Sequence, residues 1–224
     1  MSPNTLATDP QPDLSEQFDD LEQQRHADHL GMWVFLSTEI ILFGGLFTGY
    51  TAFRWSYPDE WRAASEHLYV GIGALNTAVL LTSSLFMALA VHAAQTGHRL
   101  GIVKYIALTL LFGLAFLGLK GYEYHLDISD GLLPWVGTSL KGPHPNIQNL
   151  FLVFYWVMTG LHAVHMVVGI TVLAIVGIVA WRGRFSVHYH SPVEVAGLYW
   201  HFVDIVWVFL LPTLYLVHPH KHLL

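Results

Sequence analysis

The chain has 224 residues, 54% of them hydrophobic and 12% charged, against about 25% charged in an ordinary soluble domain, and this composition is that of an integral membrane protein. Its net charge of −6, with no basic stripe, excludes nucleic-acid binding. The absence of cysteine excludes disulfides, thiolate catalysis and cysteine-ligated metal.

Residues 1–29 form a polar tail with seven acidic residues and one basic residue, Arg25. It has neither the basic start nor the apolar centre of a signal peptide. Asp19, Asp20 and Glu22 are expected to meet a basic surface of a partner or of cytoplasmic loops. Residues 30–224 read as one all-α domain, a polytopic bundle of five transmembrane helices. The predicted spans are approximately 30–53, 68–93, 102–122, 150–180 and 195–217, each near the roughly 20 residues that a bilayer requires. Barrel strands would alternate with period two over about ten residues, and no such pattern occurs.

The first span, LGMWVFLSTEIILFGGLFTGYTAF, holds the most informative residue of the chain, Glu39. A lone charge at the centre of a span costs about 2.5 kcal/mol or more. Its presence therefore requires a polar partner, an ion path or a ligand. The same span carries Gly45 and Gly49 as a GxxxG pair, a pattern that lets helices approach closely. A short aromatic and charged connection follows at 54–67. The second span opens with Gly71 and Gly73 and carries Asn76, Thr77, Thr82, Ser83 and Ser84, read as inter-helix contacts. The third span ends near Lys120, with Glu123 just beyond, and leads into the longest connection, 123–149. The fourth span is longer than a crossing needs, so it should tilt or protrude. Trp135 joins the other tryptophans and tyrosines near span ends as an interfacial belt, and the terminal HPHKHLL reads as a solvated end. Arginine and lysine divide five against five between the two sides, with Lys141 and Lys221 opposite the N-terminus. Arg182 and Arg184 in a short turn favour the N-terminal side as cytoplasmic.

The remaining intramembrane ionisable residues are His162 and His165 on the fourth span and His201 and Asp204 on the fifth. Each pair is spaced i,i+3 and shares a helical face. With Glu39 they can be read as metal or haem ligands. However, the Glu-x-x-His signature of carboxylate-bridged bundles is missing. The plainer reading is a polar knot in which Glu39 meets a histidine from a neighbouring helix and pins the packing.

Taken in order, MWVFLSTEIILFGGLF (32–47), LNTAVLLTSSL (75–85), KGYEYHLDISDG (120–131), TGLHAVHMVVG (159–169) and GLYWHFVDIVWVFLLPTLY (197–215) resemble subunit III of the haem-copper terminal oxidases. The resemblance covers essentially all of residues 30–217. It implies an accessory, non-catalytic subunit with no cofactor of its own. The haems and copper lie in partner subunits, subunit I is the main contact, and subunit II belongs to the same complex. The family's subunit sustains proton uptake, protects the active site from turnover inactivation and holds phospholipid. By this resemblance Glu39 is the family's carbodiimide-reactive mid-helix glutamate, and His162, His165, His201 and Asp204 occupy motif positions. Lys120, Glu123 and Asn76 are secondary candidates. The implied setting is a bacterial-type inner membrane, with the N-terminus cytoplasmic and the C-terminus outside. Long members have seven helices, and this chain resembles the short form that lacks the first two. The lipid cleft of the long form is then open or closed by other subunits. Three rival readings are a five-helix companion of nitric oxide reductases, a small transporter or proton channel, and a membrane metalloenzyme.

Overall fold

A computed structural model describes residues 17–18, 20–134, 144–185 and 189–217. The start of the tail, Asp19, Trp135, Lys141 and the terminal HPHKHLL lie outside the described residues. The described residues form six helices and no strand: α1 (Leu21–Ser56), α2 (Pro58–Ser65), α3 (Val70–Gln95), α4 (Arg99–Ser129), α5 (Pro145–Trp181) and α6 (Ser191–Leu214). Five of them, all but α2, are long and apolar enough to cross a membrane.

The helices run past several of the spans read from hydropathy, α4, α5 and α6 starting at Arg99, Pro145 and Ser191, and three departures have a clear local reason. Helix α1 begins at Leu21, nine residues before the apolar run, because the Asp20 side chain accepts from the Gln23 amide at 2.7 Å and caps it. Its 36 residues rise about 54 Å, so its first turns project beyond the hydrocarbon. Within the connection 54–67, Pro58 starts the short helix α2. That helix buries Trp61 edge-on against Tyr50 and Phe151, with centroids at 5.8 and 5.7 Å. Helix α4 continues to Ser129 rather than stopping near Tyr122, because Lys120, Glu123 and Asp127 follow one buried face. It ends where Gly131 adopts φ 73°. There the Leu132 amide returns to the Asp127 carbonyl at 2.9 Å, the left-handed stop that glycine allows most readily. The start of α3 is tied to the end of α4 by the Tyr69 hydroxyl, which donates to Asp130 at 2.9 Å. That bond raises the Tyr69 pKa above its ordinary value.

Helix α6 is the hub. Half of its apolar window is buried, against 11% for α1, and it packs on α3, α5 and α1. Small residues make this possible, at positions other than the first span's glycine pair. A Cβ on Gly113 of α4 would lie 2.7 Å from the Trp200 ring, and one on Gly169 of α5 would lie 3.1 Å from it. Trp200 of α6 is therefore clasped by two glycines, and its Nε1 donates to Ser83 of α3 at 3.2 Å. Gly73 similarly receives Leu211 and Tyr215. By contrast Gly45 has nothing within 4 Å, and Gly49 makes only ordinary contact with Phe154. Among the described residues the GxxxG pair therefore makes no close helix approach beyond the Gly49–Phe154 contact. The second span's hydroxyls do bridge helices: Thr77 accepts from Trp207 Nε1 at 3.1 Å and Ser83 donates to the Thr109 carbonyl at 3.1 Å.

Gly113→Ala forces Trp200 to shift and is expected to destabilise the bundle by about 1–3 kcal/mol. Gly118→Ala faces open space and is expected to be neutral. Thermal melts of the two purified variants in one detergent provide the check.

Candidate functional site

Glu39 is not isolated. Its Oε2 lies 2.9 Å from Nε2 of His165 on α5, and His165 Nδ1 lies 2.8 Å from the Leu161 carbonyl. A carbonyl only accepts, so Nδ1 carries a hydrogen. The remaining contact then holds one proton, as carboxyl to imidazole or as imidazolium to carboxylate. In both forms the pair is neutral overall, which is the economical state for groups only 14% and 12% exposed. Phe43 packs edge-on to the imidazole, and the Tyr199 hydroxyl donates to the His165 backbone carbonyl at 3.1 Å.

The other predicted residues do not join this pair. His162 lies one turn away on α5 but faces the interior. It is 1% exposed and wedged between Phe116 and Trp207, with centroids at 5.5 and 5.0 Å. Neither ring nitrogen has a protein partner. His201 of α6 meets Ser84 of α3 instead, Oγ to Nδ1 at 2.7 Å. Asp204 is buried one turn further along α6, beside the same Ser84 hydroxyl. Neither of its oxygens has an aligned hydrogen bond. Asn76 on α3 is fully buried, and its amide also lacks an aligned partner. The expected five-residue cluster is thus three separate places: Glu39–His165, His162, and His201–Asp204. Among the described residues no group of three or more histidine, cysteine or carboxylate side chains is arranged to hold a metal.

The most elaborate polar arrangement surrounds Lys120 and Glu123, the two secondary candidates. Lys120 is 2% exposed and Glu123 and Asp127 are 0% exposed. The ammonium Nζ donates to Tyr155 at 3.0 Å and to Tyr215 at 2.7 Å, and lies 3.1 Å from Glu123 Oε2. That last contact is an ion pair off the hydrogen-bond axis. Tyr215 in turn donates to Glu123 Oε1 at 2.6 Å, and Tyr155 donates to Asp127 at 2.7 Å. Two ammonium hydrogens and both phenol hydrogens therefore reach an acceptor, and the ammonium faces Glu123 Oε2 as an ion pair. Aromatic rings complete the shell: Nζ lies 4.8 Å from the centroids of both Tyr124 and Tyr155. The network joins α4 to α5 and to the residue following α6. Asp127, Tyr155 and Tyr215 were not singled out from the sequence. The available signal was the spacing 120, 123, 127, which places all three side chains on one face of an unbroken helix.

A family profile described as cytochrome c oxidase subunit III matches residues 22–218. Cytochrome c oxidase subunit 3 of Thermostichus vulcanus is 33% identical over 192 residues, covering 84% of this chain and 86% of its own. The subunit 3 of Synechocystis sp. is 32% identical over 215 residues, covering 92% and 84%. That of Cyprinus carpio is 30% identical over 201 residues, covering 83% of this chain but 67% of its own. The carp protein is thus the longer of the two.

Lys120→Met leaves two buried carboxylates and two phenols without their central cation, and is expected to cost about 3–5 kcal/mol. Glu39→Gln keeps a hydrogen-bonding group beside His165 and is expected to cost about 1 kcal/mol or less. Denaturant melts of the two purified variants compare them directly. Equal stability of Lys120→Met and the wild type would remove the network's structural role.

Proposed function

The chain belongs to the cytochrome c oxidase subunit III family, and from that membership we propose how it serves its complex. It is a multi-pass membrane subunit of a haem-copper oxidase, an assembly that reduces oxygen and moves protons across the membrane. The nitric oxide reductase and transporter readings are not favoured, since the relatives carry the oxidase name. The proposed electron donor is cytochrome c, on the same names.

We further propose that this chain performs no chemistry of its own and braces the subunits that do. Subunit I, with the haems and copper, is the proposed main contact, and subunit II completes the core of the complex. The observation that carries this reading is how the ionisable groups are used. Glu39 is engaged by His165, and Lys120 by Glu123 and two phenols. These are fastenings between helices, and they give a rigid body that can support a neighbour. The outward face of α1 supplies a surface for such a neighbour or for acyl chains. Trp33, Val34, Ile40 and Ile41 are exposed along it, and Gly45 is open. In this scheme phospholipid or helices of another subunit cover this face of α1. The N-terminal end is proposed to be cytoplasmic, where the tail's acidic residues meet basic loops. Glu39 and His165, sharing one proton at the edge of the bundle, are proposed to hold α1 in the register that the proton-collecting face of subunit I requires.

Purification through this chain in mild detergent is expected to co-elute large subunits with haem bands in a redox difference spectrum. A colourless lone protein from intact membranes would sink the assignment. Complexes depleted of the chain are expected to begin turnover at a near-normal rate and then inactivate several-fold faster. Glu39→Gln complexes are expected to lie between. If their turnover, pumping and inactivation all match the wild type, the pair has only the structural role.

A further inference from the structure

The projecting first turns of α1 meet the rest of the bundle at a polar junction centred on Glu194, in the first turn of α6. Glu194 Oε1 accepts from Gln95 Nε2 of α3 at 2.8 Å and lies 3.3 Å from Nε2 of His190, just before α6. Glu194 Oε2 lies 3.3 Å from Nε2 of His29 on α1. One residue before His29, Asp28 accepts from the Ser191 hydroxyl at 2.7 Å. Beneath this junction a groove of about 390 Å³ runs between α1, α3 and α6, walled by Trp33, Val91 and Leu198, with His201 deeper along it. Glu194 and His29 form its upper edge.

Two features set this junction apart from the buried networks. Its carboxylate is bracketed by two histidines, one on each side, drawn from different segments of the chain. Both histidine contacts, at 3.3 Å, are longer than the roughly 2.7–2.9 Å of a charge-assisted bond, so both can tighten when the rings gain a proton. The titratable groups acting on Glu194 are His29 and His190, while Gln95 is a neutral donor. Asp28 is engaged by Ser191, and Arg25 lines a small adjoining cavity with Asp28 and His190.

We propose that His29, Glu194 and His190 form a proton-operated latch that closes the N-terminal end of α1 over the groove between α1, α3 and α6. With both rings protonated, two cations flank one carboxylate and α1 is held closed. As pH rises through the range in which histidine loses its charge, about 5 to 8, each ion pair becomes a weaker contact between a neutral imidazole and the Glu194 carboxylate. The latch then loosens. At pH low enough to protonate Glu194 the attraction is lost from the other side, so closure is tightest in mild acid. The Asp28–Ser191 bond, which does not involve a histidine, remains in both states, while Leu30, Trp33 and Val34 of the same turns are exposed.

Hydrogen exchange on the purified complex, read by mass spectrometry over residues 22–33, tests this. Rates are corrected for intrinsic exchange and compared at about pH 6 and about pH 8.5, on either side of the histidine range. In the wild type the corrected rate is expected to rise several-fold at the higher pH. Glu194→Gln is expected to exchange at the fast level at both. His29→Asn, which keeps a donor and loses the charge, is expected to lose most of the difference while still assembling. It carries the test by itself if Glu194→Gln does not assemble. Equal corrected rates in the wild type, or a pH difference that survives in His29→Asn and Glu194→Gln, would overturn the latch.

Discussion

The constraint on which this structure depends is that hydrocarbon offers no hydrogen bonds. A soluble bundle can turn an awkward polar side chain toward water. This one finds most such groups a partner on another helix, with Asn76, His162 and Asp204 buried without an aligned one. The pairings that result dictate which helices touch. Ser83 and Ser84 on α3 reach Trp200 and His201 of α6. Lys120 on α4 reaches Tyr155 of α5 and Tyr215 after α6. Glu39 on α1 reaches His165 of α5. Lipid tails are as apolar as leucine, so burying leucine between helices adds little drive to association in a membrane. The polar pairs and close glycine contacts carry the specificity instead.

Within that constraint the buried charges are handled in two ways. The Glu39–His165 pair is neutral as a unit, since one proton serves both groups. The Lys120 network contains one ammonium and two carboxylates and relies on phenols to distribute the charge. Tyr155 accepts from Lys120 and donates toward Asp127, while Tyr215 accepts from Lys120 and donates to Glu123. Each phenol therefore acts as a relay, passing the cation's polarisation to a carboxylate. Removing any member leaves another exposed to a medium of low dielectric, so the five residues behave as one fastening across three segments of the chain.

The helical class and the five spans were legible because long apolar runs leave no other solution. Glu39 was legible for the same reason, and charge burial left a polar partner, an ion path or a ligand as its explanation, with a histidine on a neighbouring helix as the plainer reading. Which histidine was not legible. His162 and His165 sit about 60° apart on α5, enough to send one toward α1 and the other against Phe116 and Trp207. Spacing groups residues on a face, but the partner helix decides which edge of that face each one meets. Asp127 escaped notice because hydropathy ends the third span before it, whereas the helix continues. The Glu194 junction escaped for the opposite reason. His29, Gln95 and Glu194 each lie at a span's polar end, where charged residues are ordinary. Only the tertiary fold brings them to one point.

The attachment of α1 shows how these pieces act together. It is the least buried of the five long helices, yet it is fastened at three levels on the side facing the bundle. His29 meets Glu194 at 3.3 Å, Glu39 meets His165 at 2.9 Å, and the Tyr50 hydroxyl donates to the Thr213 carbonyl at 2.7 Å. These positions are 10 and 11 residues apart, close to three helical turns each time. Glu39 and Tyr50 therefore project from nearly the same stripe of the helix, and His29 lies about 80° round from Glu39. A stripe of polar fastenings fixes rotation and register with little apolar burial, and it leaves the opposite face of α1 apolar and open. The upper fastening is packed among Trp61, Phe151 and Phe154, and the middle one beneath Phe43. The lowest borders a groove and is not enclosed by aromatic rings in this way. If one end of α1 is to move, it is the N-terminal end, about the other two fastenings as a hinge.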